Sequence, residues 1–472
     1  MIEDRLYKFL GLYLKSPQFV KSVLGRVYRN IPLRLRYGKT YIHFKTLLSQ
    51  SEFWSKEQIV EYQNKKFLTL INHCFENVPY YEKLFRLHNL TRNDFQSLED
   101  IKKIPFLTKE LILSNKDSMV GSNYSKSKLL YYSTGGTTGI PMSFFNEKGV
   151  SRSKEFAFMT SQWKRVGYQV NDRIVTLRGN VIPSAKNQVF WEYEPIKNRL
   201  ILSTYHMNEN SLTTYIEKIR QFKPQFIHTY PSAVTVLAKF MIAHHIPPFP
   251  TLKAVLCSSE AFYPGQRELL ENAFQCRIFS WYGLGEMVAL AGECEYSHKY
   301  HIFPEYGYVE LIDANGKIID SEGTLGEIVG TGFDRDIMPF IRYRTGDFAE
   351  YSDEKCSCGR NYRLLKRVEG RWLQEQIFTK KKNLISVTAL NMHTPVFENV
   401  AQYQFEQSEI GRLILKLVPK KTFQNSDIAD IKSTLTAKLD PSDIELEIKL
   451  VDTQQIESGR SGKFRFLIQN IK

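Results

Sequence analysis

The chain has 472 residues, of which 42% are hydrophobic and 24% are charged, and this composition is typical of a soluble globular protein. No apolar run approaches the ~18 residues of a membrane-spanning helix, and six scattered cysteines are too few for a disulfide scaffold in a chain of this length. The formal net charge of +14 is unevenly distributed along the chain.

Positive charge is concentrated in the first 50 residues. Ten Lys or Arg residues stand there against two acidic ones, a balance of +8. Arg26, Arg29, Arg34 and Arg36 are interleaved with apolar residues, and such a basic amphipathic segment is able to lie on an anionic membrane surface. The alternative, which the sequence favours, is a solvated pair of helices with exposed arginines. We expect no nucleic-acid partner, because no known binding module accompanies the charge.

Residues 53–115 have a helical pattern, in which Ile59, Leu68, Ile71 and Phe75 lie one or two helical turns apart. Together with the basic segment, this predicts that residues 1–100 are mainly helical. The chain opens without the charged, apolar and small-residue segments of a signal peptide. We therefore expect a cytoplasmic protein, peripheral to the inner face of the membrane if the basic segment binds lipid.

A glycine-rich stretch follows between two predicted strands, residues 129–131 and 142–145. Such a stretch makes a poor core, but its backbone N–H groups and hydroxyls are able to converge on an anion. It is not a Walker A loop, because no Gly-Lys-Ser/Thr closes it, and a flexible hairpin turn is the alternative. The candidate anion-binding residues are Ser133, Thr134, Gly135, Gly136, Thr137, Thr138 and Gly139.

Residues 150–280 alternate helices with short apolar strands. This alternation predicts parallel βαβ units whose ligand-binding groups lie at the carboxyl ends of the strands. The residues at these predicted ends are His228, Ser258, Ser259, Glu260 and the stretch 282–286. Aromatic side chains of the same region either line a pocket or belong to the core. They are Phe156, Phe158, Trp163, His228, Tyr230 and Trp281.

The last third of the chain has a different pattern. Residues 301–365 show short strands with Gly-rich turns, and residues after 371 combine strand patterns with a helix at 427–439. We therefore predict an α/β protein with a large multi-layer N-terminal region, which contains parallel βαβ units and a small β-rich subdomain, and a small α+β C-terminal domain. The predicted domains are residues 1–370 and 371–472.

Four later motifs follow the glycine-rich loop: Trp281-Tyr-Gly-Leu-Gly-Glu286, Tyr343-Arg-Thr-Gly-Asp347, Gly370-Arg371 and Ser461-Gly-Lys-Phe-Arg465. In this order, the five stretches resemble the motifs of AMP-forming acyl-CoA synthetases, the adenylate-forming superfamily. The chain is most similar to the phenylacetate-CoA ligase-like branch, which includes proteins found with capsular polysaccharide genes. The resemblance extends from about residue 60 to residue 472.

This resemblance implies an AMP-forming ligase of the acid–thiol type. ATP and Mg²⁺ would convert a carboxylic acid into an acyl-adenylate with release of pyrophosphate, and rotation of a mobile C-terminal domain would open the site to coenzyme A. The branch implies an aromatic acid, and its capsule-associated members imply another acid and a role in surface-polysaccharide biosynthesis. Two alternatives stay open: acyl transfer to an amine, a sugar or a carrier protein, and a non-catalytic nucleotide-binding scaffold. The oligomeric state is left open.

The resemblance also assigns roles to individual residues. Lys463 matches the mobile catalytic lysine, and Glu286 matches the magnesium-binding glutamate. Thr138 and Thr137 are the preferred hydroxyls for binding the leaving pyrophosphate. Asp347 matches the carboxylate that accepts hydrogen bonds from the ribose hydroxyls, and Arg371 matches the hinge arginine. The remaining nucleotide-binding candidates are Ser259, Glu260, Tyr282 and Gly283.

Two positions depart from the family pattern. Gly285 stands where a Thr or Ser usually precedes the glutamate, so a phosphate-binding hydroxyl is missing. The loss of one preorganised donor costs roughly 2.7–4 kcal/mol in a transition state, so adenylation is slow unless the loop compensates. The hinge also lacks its expected aspartate, and Glu375 is the candidate replacement.

A second constellation contains thiols. Cys356-Ser-Cys358-Gly-Arg resembles a motif of the phenylacetate-CoA ligase-like branch, some members of which hold zinc there. Cys294 with His301 or His298 would complete four nitrogen and sulfur ligands, and the branch pattern favours His301. With four protein ligands the Zn²⁺ would be structural. The alternative is a set of ordinary loop thiols and histidines.

Overall fold

The structure is a computed structural model that describes residues 12–13, 16–134, 141–262, 264–369, 375–390, 395–457 and 465–471. Its α-helices are α1 (Gln18–Asn30), α2 (Leu33–Ser51), α3 (Lys56–Asn77), α4 (Pro79–Leu87), α5 (Lys109–Ser114), α6 (Ser151–Lys164), α7 (Glu209–Phe222), α8 (Pro231–Ala243), α9 (Gln266–Phe274), α10 (Val387–Leu390) and α11 (Asn425–Thr436).

The first strands are β1 (Leu129–Thr134), β2 (Met142–Glu147), β3 (Ile174–Leu177), β4 (Trp191–Glu194), β5 (Arg199–Leu202), β6 (Phe226–Thr229), β7 (Ala254–Cys257), β8 (Arg277–Gly283), β9 (Leu290–Gly292) and β10 (Tyr300–Ile302). They continue with β11 (Gly307–Ile312), β12 (Ile318–Ile319), β13 (Leu325–Gly332), β14 (Tyr343–Ser352), β15 (Leu364–Glu369), β16 (Gln376–Phe378), β17 (Leu384–Ser386), β18 (Val400–Glu409), β19 (Arg412–Pro419), β20 (Glu445–Leu450) and β21 (Leu467–Gln469).

Most strands of the described residues pair in one sheet, in the order β12-β11-β13-β14-β15-β10-β9-β8-β7-β6-β3-β5-β4. Its run β5-β3-β6-β7-β8 is parallel, which confirms the predicted βαβ units. Strand β8 changes partner along its length, because residues 277–280 pair with β7 and residues 281–283 pair with β9. The β-rich part predicted at 301–365 therefore continues the parallel sheet instead of forming a sheet of its own.

The parallel strands are buried on both faces, as expected when helices cover both sides of a parallel sheet. Val175, Ile227 and Val255 face a core that includes residues of α7, α8 and α9. Their neighbours along the strands, Phe226 and Leu256 among them, face a second core with residues of α2 and α6. Because both faces are covered, the carboxyl ends of the strands are held in place at one edge of the sheet. The cavity described below lies at this edge.

The N-terminal segment forms the predicted pair of helices, α1 and α2, and α2 is kinked at Gly38. Helix α2 packs against α6. The next helix, α3, begins at a capping box formed by Ser55 and Gln58. Within the described part of the chain, no helix is both long and apolar enough to cross a bilayer.

A separate C-terminal domain follows the large sheet. Its strands pair in the order β20-β19-β18-β21, and Ile431 and Leu435 of α11 are buried in the same core as Leu413 and Leu415 of β19. Strands β16 and β17 form a hairpin, and β17 packs against α8 of the large region. The predicted boundary at Arg371 falls outside the described residues. The division into domains of residues 1–370 and 371–472 therefore stays a prediction.

Candidate functional site

A cavity of about 850 Å³ lies at the carboxyl ends of the parallel strands. Its lining includes Arg178 after β3, His228 in β6, residues 258–260 after β7 and Tyr282 in β8, and Asp347 of β14 lines it as well. The sequence placed three of these five groups at strand ends, namely His228, residues 258–260 and Tyr282, and the tertiary fold brings them to one edge. The arrangement is the one expected for ligand binding by an open parallel sheet.

Tyr282 and Asp347 are in direct contact in this cavity. The Tyr282 hydroxyl donates a hydrogen bond of 3.0 Å to Oδ2 of Asp347. Asp347 is buried, and its backbone N–H donates to the Thr345 hydroxyl oxygen at 3.1 Å. A buried carboxylate beside an aromatic ring is suited to hold a sugar next to a stacked base.

Glu286 follows β8 and is buried in the cavity wall. The next residue, Met287, has a left-handed backbone with φ of +57°, which closes the turn that carries the glutamate. Burial lowers the pKa of the nearby Arg335 to about 10, and the negative charge of Glu286 opposes this shift. Glu286 therefore faces both the cavity and a buried cation.

Arg178 is a cavity residue that the sequence analysis did not select. Its guanidinium donates to His228 Nε2 and to Ser258 Oγ, both at 2.5 Å, and to Ser259 Oγ at 2.8 Å. It also lies 4.8 Å from the centre of the Tyr230 ring. The signal was available, because Arg178 directly follows a short apolar run, residues 174–177, within the alternating region 150–280, and the strand-end rule selected His228 there.

His228 is neutral in this environment. Burial, with the charges of Arg178 and Arg199, holds the pKa of His228 well below its usual range. Because an arginine only donates, Nε2 of His228 is the acceptor, and the proton of the neutral ring is on Nδ1. Neither His228 Nδ1 nor Nε1 of the adjacent Trp163 has a hydrogen-bond partner among the described residues. Two residues that line the cavity therefore each carry a buried N–H group without a partner among the described residues.

Ser259 and Glu260 have different environments. Ser259 has a left-handed backbone with φ of +71°, and its hydroxyl is held by Arg178. Strained residues of this kind are concentrated at functional sites. The carboxylate of Glu260 accepts from the Ser232 backbone N–H and hydroxyl, both at 2.9 Å, at the start of α8. Glu260 thus lines the cavity and also caps a helix.

Of the aromatic candidates, Trp163, His228, Tyr230, Trp281 and Phe156 line the cavity. Phe158 follows the other alternative that the sequence left open, because it is fully buried in the core between α2, α6 and the sheet. The reason is helical geometry, since residues two apart on α6 face different directions.

The glycine-rich loop is only partly described. Thr134 lines the cavity at the end of β1, and Ser133 is buried in the β1–β2 hairpin, where it pairs with Ser143. Gly283 lines the cavity beside Tyr282. The predicted residues that lie outside the described part of the chain are Gly135, Gly136, Thr137, Thr138, Gly139, Arg371 and Lys463.

Gly285 also lines the cavity. A Cβ at this position would lie 3.0 Å from Cγ2 of Thr134 and 3.1 Å from the Tyr132 ring. A side chain at 285 would therefore require Thr134 and Tyr132 to move by a few tenths of an ångström.

Glu375, the candidate hinge carboxylate, is buried within the C-terminal domain. It accepts from Arg465 Nε and from the Leu467 backbone N–H, both at 2.8 Å. Burial raises the pKa of Glu375, although the hydrogen bonds of Arg465 and Leu467 act in the opposite direction. This carboxylate ties the start of the domain to its last strand.

A second site lies apart from the cavity. Cys294, His301, Cys356 and Cys358 come together from two loops and β10, and their ligand atoms all lie within 4.8 Å of one another. The Cys294 and Cys356 sulfur atoms are 3.5 Å apart, and Cys358 Sγ is 3.2 Å from His301 Nε2. His298 is half-exposed and turned towards Glu293, so the cluster contains His301, the histidine that the branch pattern favours.

Arg360, two residues after Cys358, holds this cluster to its surroundings. Its buried guanidinium forms two hydrogen bonds to Glu295, at 2.7 and 2.8 Å, and two to Glu52, at 2.5 and 3.0 Å. Glu295 follows Cys294, and Glu52 follows α2. The arginine thus fastens both cysteine loops to the N-terminal helices.

Comparison with known proteins shows what the chain is similar to. Residues 377–470 match the family model of the CapK C-terminal domain. Protein CapK of Staphylococcus aureus is 26% identical over 473 residues, covering 98% of this chain and 99% of its own length. A phenylacetate-coenzyme A ligase of Aromatoleum evansii is 25% identical over 323 residues, which span 67% of this chain and 71% of that protein.

Among solved structures, a 2-hydroxyisobutyryl-CoA ligase in complex with 2-HIB-AMP and CoA superimposes with a TM-score of 0.59 at 16% identity. The match covers 90% of this chain and 92% of the ligase, and at this identity it establishes the fold. The full-length similarity to CapK, the ligase relatives and this fold agree with the order of the five motifs. The chain is therefore similar to protein CapK and to phenylacetate-coenzyme A ligases, and its fold is that of the AMP-forming, adenylate-forming enzymes.

Proposed function

We propose that this protein is an acid–thiol ligase that adenylates a carboxylic acid with ATP, releases pyrophosphate and transfers the acyl group to coenzyme A. The observation that carries the proposal is the convergence of Glu286, Tyr282 and Asp347 in one cavity at the carboxyl edge of the parallel strands. Relatives with the same fold include enzymes named as coenzyme A ligases.

Each of these groups has a task in that reaction. Asp347 accepts hydrogen bonds from the ribose hydroxyls while the Tyr282 ring stacks on the base. Glu286 holds Mg²⁺, which neutralises phosphate charge when it is bound. The acid occupies the end of the cavity that contains Trp163, Trp281 and neutral His228, away from water. Lys463 contacts the reacting phosphate and carboxylate oxygens during adenylation.

The test is carboxylate-dependent exchange of pyrophosphate into ATP, run with aromatic, aliphatic and hydroxy acids. We expect exchange with one class of acid, and a loss of at least about 100-fold in Lys463→Ala, because a preorganised cation is removed from the transition state. Lys421→Ala is the matched control, since Lys421 is an exposed lysine of the same domain. Exchange that survives in Lys463→Ala, or ATP binding without any exchange, would contradict the proposal.

The acceptor is tested separately. After adenylation, coenzyme A should give a thioester and free AMP. The second candidate is transfer to an amine, a sugar or a carrier protein in surface-polysaccharide assembly, and the end-to-end similarity to protein CapK favours it. Pyrophosphate exchange without thioester formation would support this second candidate.

The thiol cluster is best explained as a structural zinc site. Tetrahedral Zn²⁺ binds sulfur at about 2.3 Å and nitrogen at about 2.0–2.1 Å, and four ligand atoms within 4.8 Å of one another fit such a centre. All four ligands come from the protein, so the metal would join loops and activate no water. The cluster lies at the β10 side of the sheet, and its ligands are not part of the cavity lining.

A further inference from the structure

Helix α1 has its apolar residues on the outside. Phe19, Val23 and Val27 follow one another at intervals of four residues, so they form a stripe along one face. Their side chains are 71%, 60% and 59% exposed, and the neighbouring Leu24 is also exposed. Isolated exposed apolar residues are normal on protein surfaces, but a continuous helical stripe is not.

The inner face of the same helix is polar. Lys21 forms an ion pair with Glu192 at 2.8 Å, Gln18 Nε2 donates to the Tyr193 carbonyl oxygen at 2.8 Å, and Arg29 donates to the Tyr193 hydroxyl at 3.1 Å. These are residues of β4, the edge strand of the main sheet.

The helix also lies very close to the chain that follows β4. A Cβ at Gly25 would lie 2.6 Å from Pro195, so only glycine permits this approach. Helix α1 is therefore docked on the protein through its polar face. Because this face points inward, the apolar stripe points towards solvent.

The surroundings of the stripe are positively charged. Arg26 on α1 and Arg34, Lys39 and Lys45 on α2 are exposed. The sequence contains no Asp or Glu between Arg5 and Ser51. The acidic side chains Glu192 and Glu194 of β4 contact this segment through Lys21 and Tyr13, and the Lys21 contact is on the polar inner face of α1. Apolar side chains beside exposed basic residues are complementary to a bilayer whose headgroups are negative.

We propose that α1 is a membrane-binding helix that docks this protein on anionic phospholipid bilayers. Phe19, Val23, Leu24 and Val27 enter the boundary between headgroups and acyl chains, and Arg26 and Arg34 pair with lipid phosphates. The binding is peripheral and reversible, because only one face of one short helix enters the lipid. It does not depend on the proposed ligase reaction.

The test is flotation of the purified full-length protein with vesicles. Vesicles with equal parts of phosphatidylglycerol and phosphatidylcholine should carry the protein upward, and vesicles of phosphatidylcholine alone should not. Raising the salt concentration from about 0.1 M to about 0.5 M should weaken the binding, because it screens the basic residues. Binding to both vesicle types alike, or to neither, would overturn the proposal.

Two variants separate the apolar and the basic contributions. Phe19→Ser/Val23→Ser/Val27→Ser and Arg26→Glu/Arg34→Glu should each lower the partition coefficient by at least about tenfold. The first control is Leu87→Ser, which removes an equally exposed apolar side chain on α4. The second is Lys83→Glu/Lys126→Glu, which reverses two exposed charges elsewhere. Both controls should bind as the wild type does.

Folding and self-association are checked on the same samples. The exchanged side chains point into solvent, so the melting temperatures of both variants should equal that of the wild type. If the serine variant keeps full binding, the stripe does not touch lipid. If the wild type is a dimer that the serine variant converts to a monomer, and vesicles carry neither, the stripe is an interface between copies and the proposal is wrong.

Discussion

Arg178 links three other residues of the cavity wall through hydrogen bonds. It donates to His228, Ser258 and Ser259 at once, and so keeps His228 in the tautomer whose Nδ1 carries the proton. Under the proposed function, we expect the N–H groups of His228 and Trp163, which lack partners among the described residues, to influence which acid fits best. A buried donor without a partner costs about 1–3 kcal/mol, and an acid with a suitably placed hydroxyl or carbonyl oxygen removes that cost.

We predict that the enzyme prefers such an acid to its hydrocarbon isostere by about 5–100-fold in kcat/KM for pyrophosphate exchange. Trp163→Phe, which keeps an aromatic ring and removes the N–H, should lower the preference at least about fivefold and leave the rate with the hydrocarbon acid nearly unchanged. The control is Trp191→Phe, a tryptophan of the edge strand β4. An unchanged preference in Trp163→Phe would show that Nε1 does not contact substrate.

Gly285 leads to a second prediction at the residue scale. The family pattern suggests that Gly285→Thr would restore a missing hydroxyl, but a side chain there would require Thr134 and Tyr132 to move. We therefore expect Gly285→Thr and Gly285→Ala to lower the melting temperature and to reduce kcat/KM about tenfold, because overpacking costs roughly 1–3 kcal/mol. Thr134→Ser removes Cγ2 and keeps the hydroxyl, so adding it to Gly285→Ala should recover part of the activity. A faster Gly285→Thr enzyme would contradict this explanation.

At the scale of elements, the cysteine loops join parts of the fold that are far apart in the chain. Cys294 and His301 lie on either side of a short loop, whereas Cys356 and Cys358 belong to the turn between β14 and β15. Arg360 adds a link from these loops to Glu52 at the end of α2. A metal in the cluster would therefore join the connection between β9 and β10 to the one between β14 and β15, and Arg360 links both to α2.

We predict that the purified protein contains one equivalent of zinc and that Cys358→Ser lowers its zinc content at least about tenfold. Removal of the metal by a chelator should lower the melting temperature, because a structural metal stabilises only the folded state. Elemental analysis by mass spectrometry measures the zinc content. The matched control is Cys276→Ser, a free and half-buried thiol outside the cluster. Equal zinc in both variants would rule out this site.

At the scale of the whole molecule, the interior between α6 and the sheet contains a buried cation. Lys154 is fully buried, donates to the Phe333 carbonyl oxygen and lies 4.6 Å from the centre of the Tyr306 ring. Burial lowers the pKa of Lys154 to about 8. The ordinary value, which applies to the unfolded chain, is about 10.4.

The pH dependence of stability follows from this shift. Below pH 8 both states are protonated, so the folded protein bears the full cost of a buried charge. Between about pH 8 and about 10.4 the unfolded state binds more protons, and the contribution of Lys154 to stability rises with pH. The Lys154→Met variant carries no titratable group at this position, so it lacks this pH-dependent contribution to stability. Its stability relative to the wild type should therefore fall as the pH rises through the same window.

We predict that this stability difference is about 2 kcal/mol smaller at pH 9.5 than at pH 7, since each pH unit above 8 changes it by about 1.4 kcal/mol. Urea unfolding of both proteins at the two pH values measures it. Lys83→Met, at an exposed lysine, should show no such change. A pH-independent difference for Lys154→Met would mean that burial does not lower the pKa of Lys154 in the folded protein.

Much of the fold is contained in local sequence patterns. The apolar strands at β3, β6 and β7, each buried on both faces, and the helices between them are visible as runs and periodicities, so the parallel units were predicted. The five motifs in order likewise identified the superfamily without any structure. These features are local because chain geometry sets both the helical period and the strand period.

Contacts between distant segments came only from the tertiary structure. The sequence named Tyr282 and Asp347 but not their hydrogen bond, and it left His298 and His301 as alternatives that the packing of the cysteine loops distinguishes. The sequence analysis did not select Arg178, whose three partners lie in β6 and directly after β7.

The direction of a side chain depends on packing in the same way. A basic amphipathic pattern describes α1 whichever face points outward, and only its docking on β4 decides that the apolar face meets solvent. The space at Gly285 is likewise set by residues of a different hairpin. The sequence by itself thus determined the elements, the motifs and the family. Which groups meet, and which faces stay exposed, was decided by tertiary packing, because those choices depend on neighbours far away in the chain.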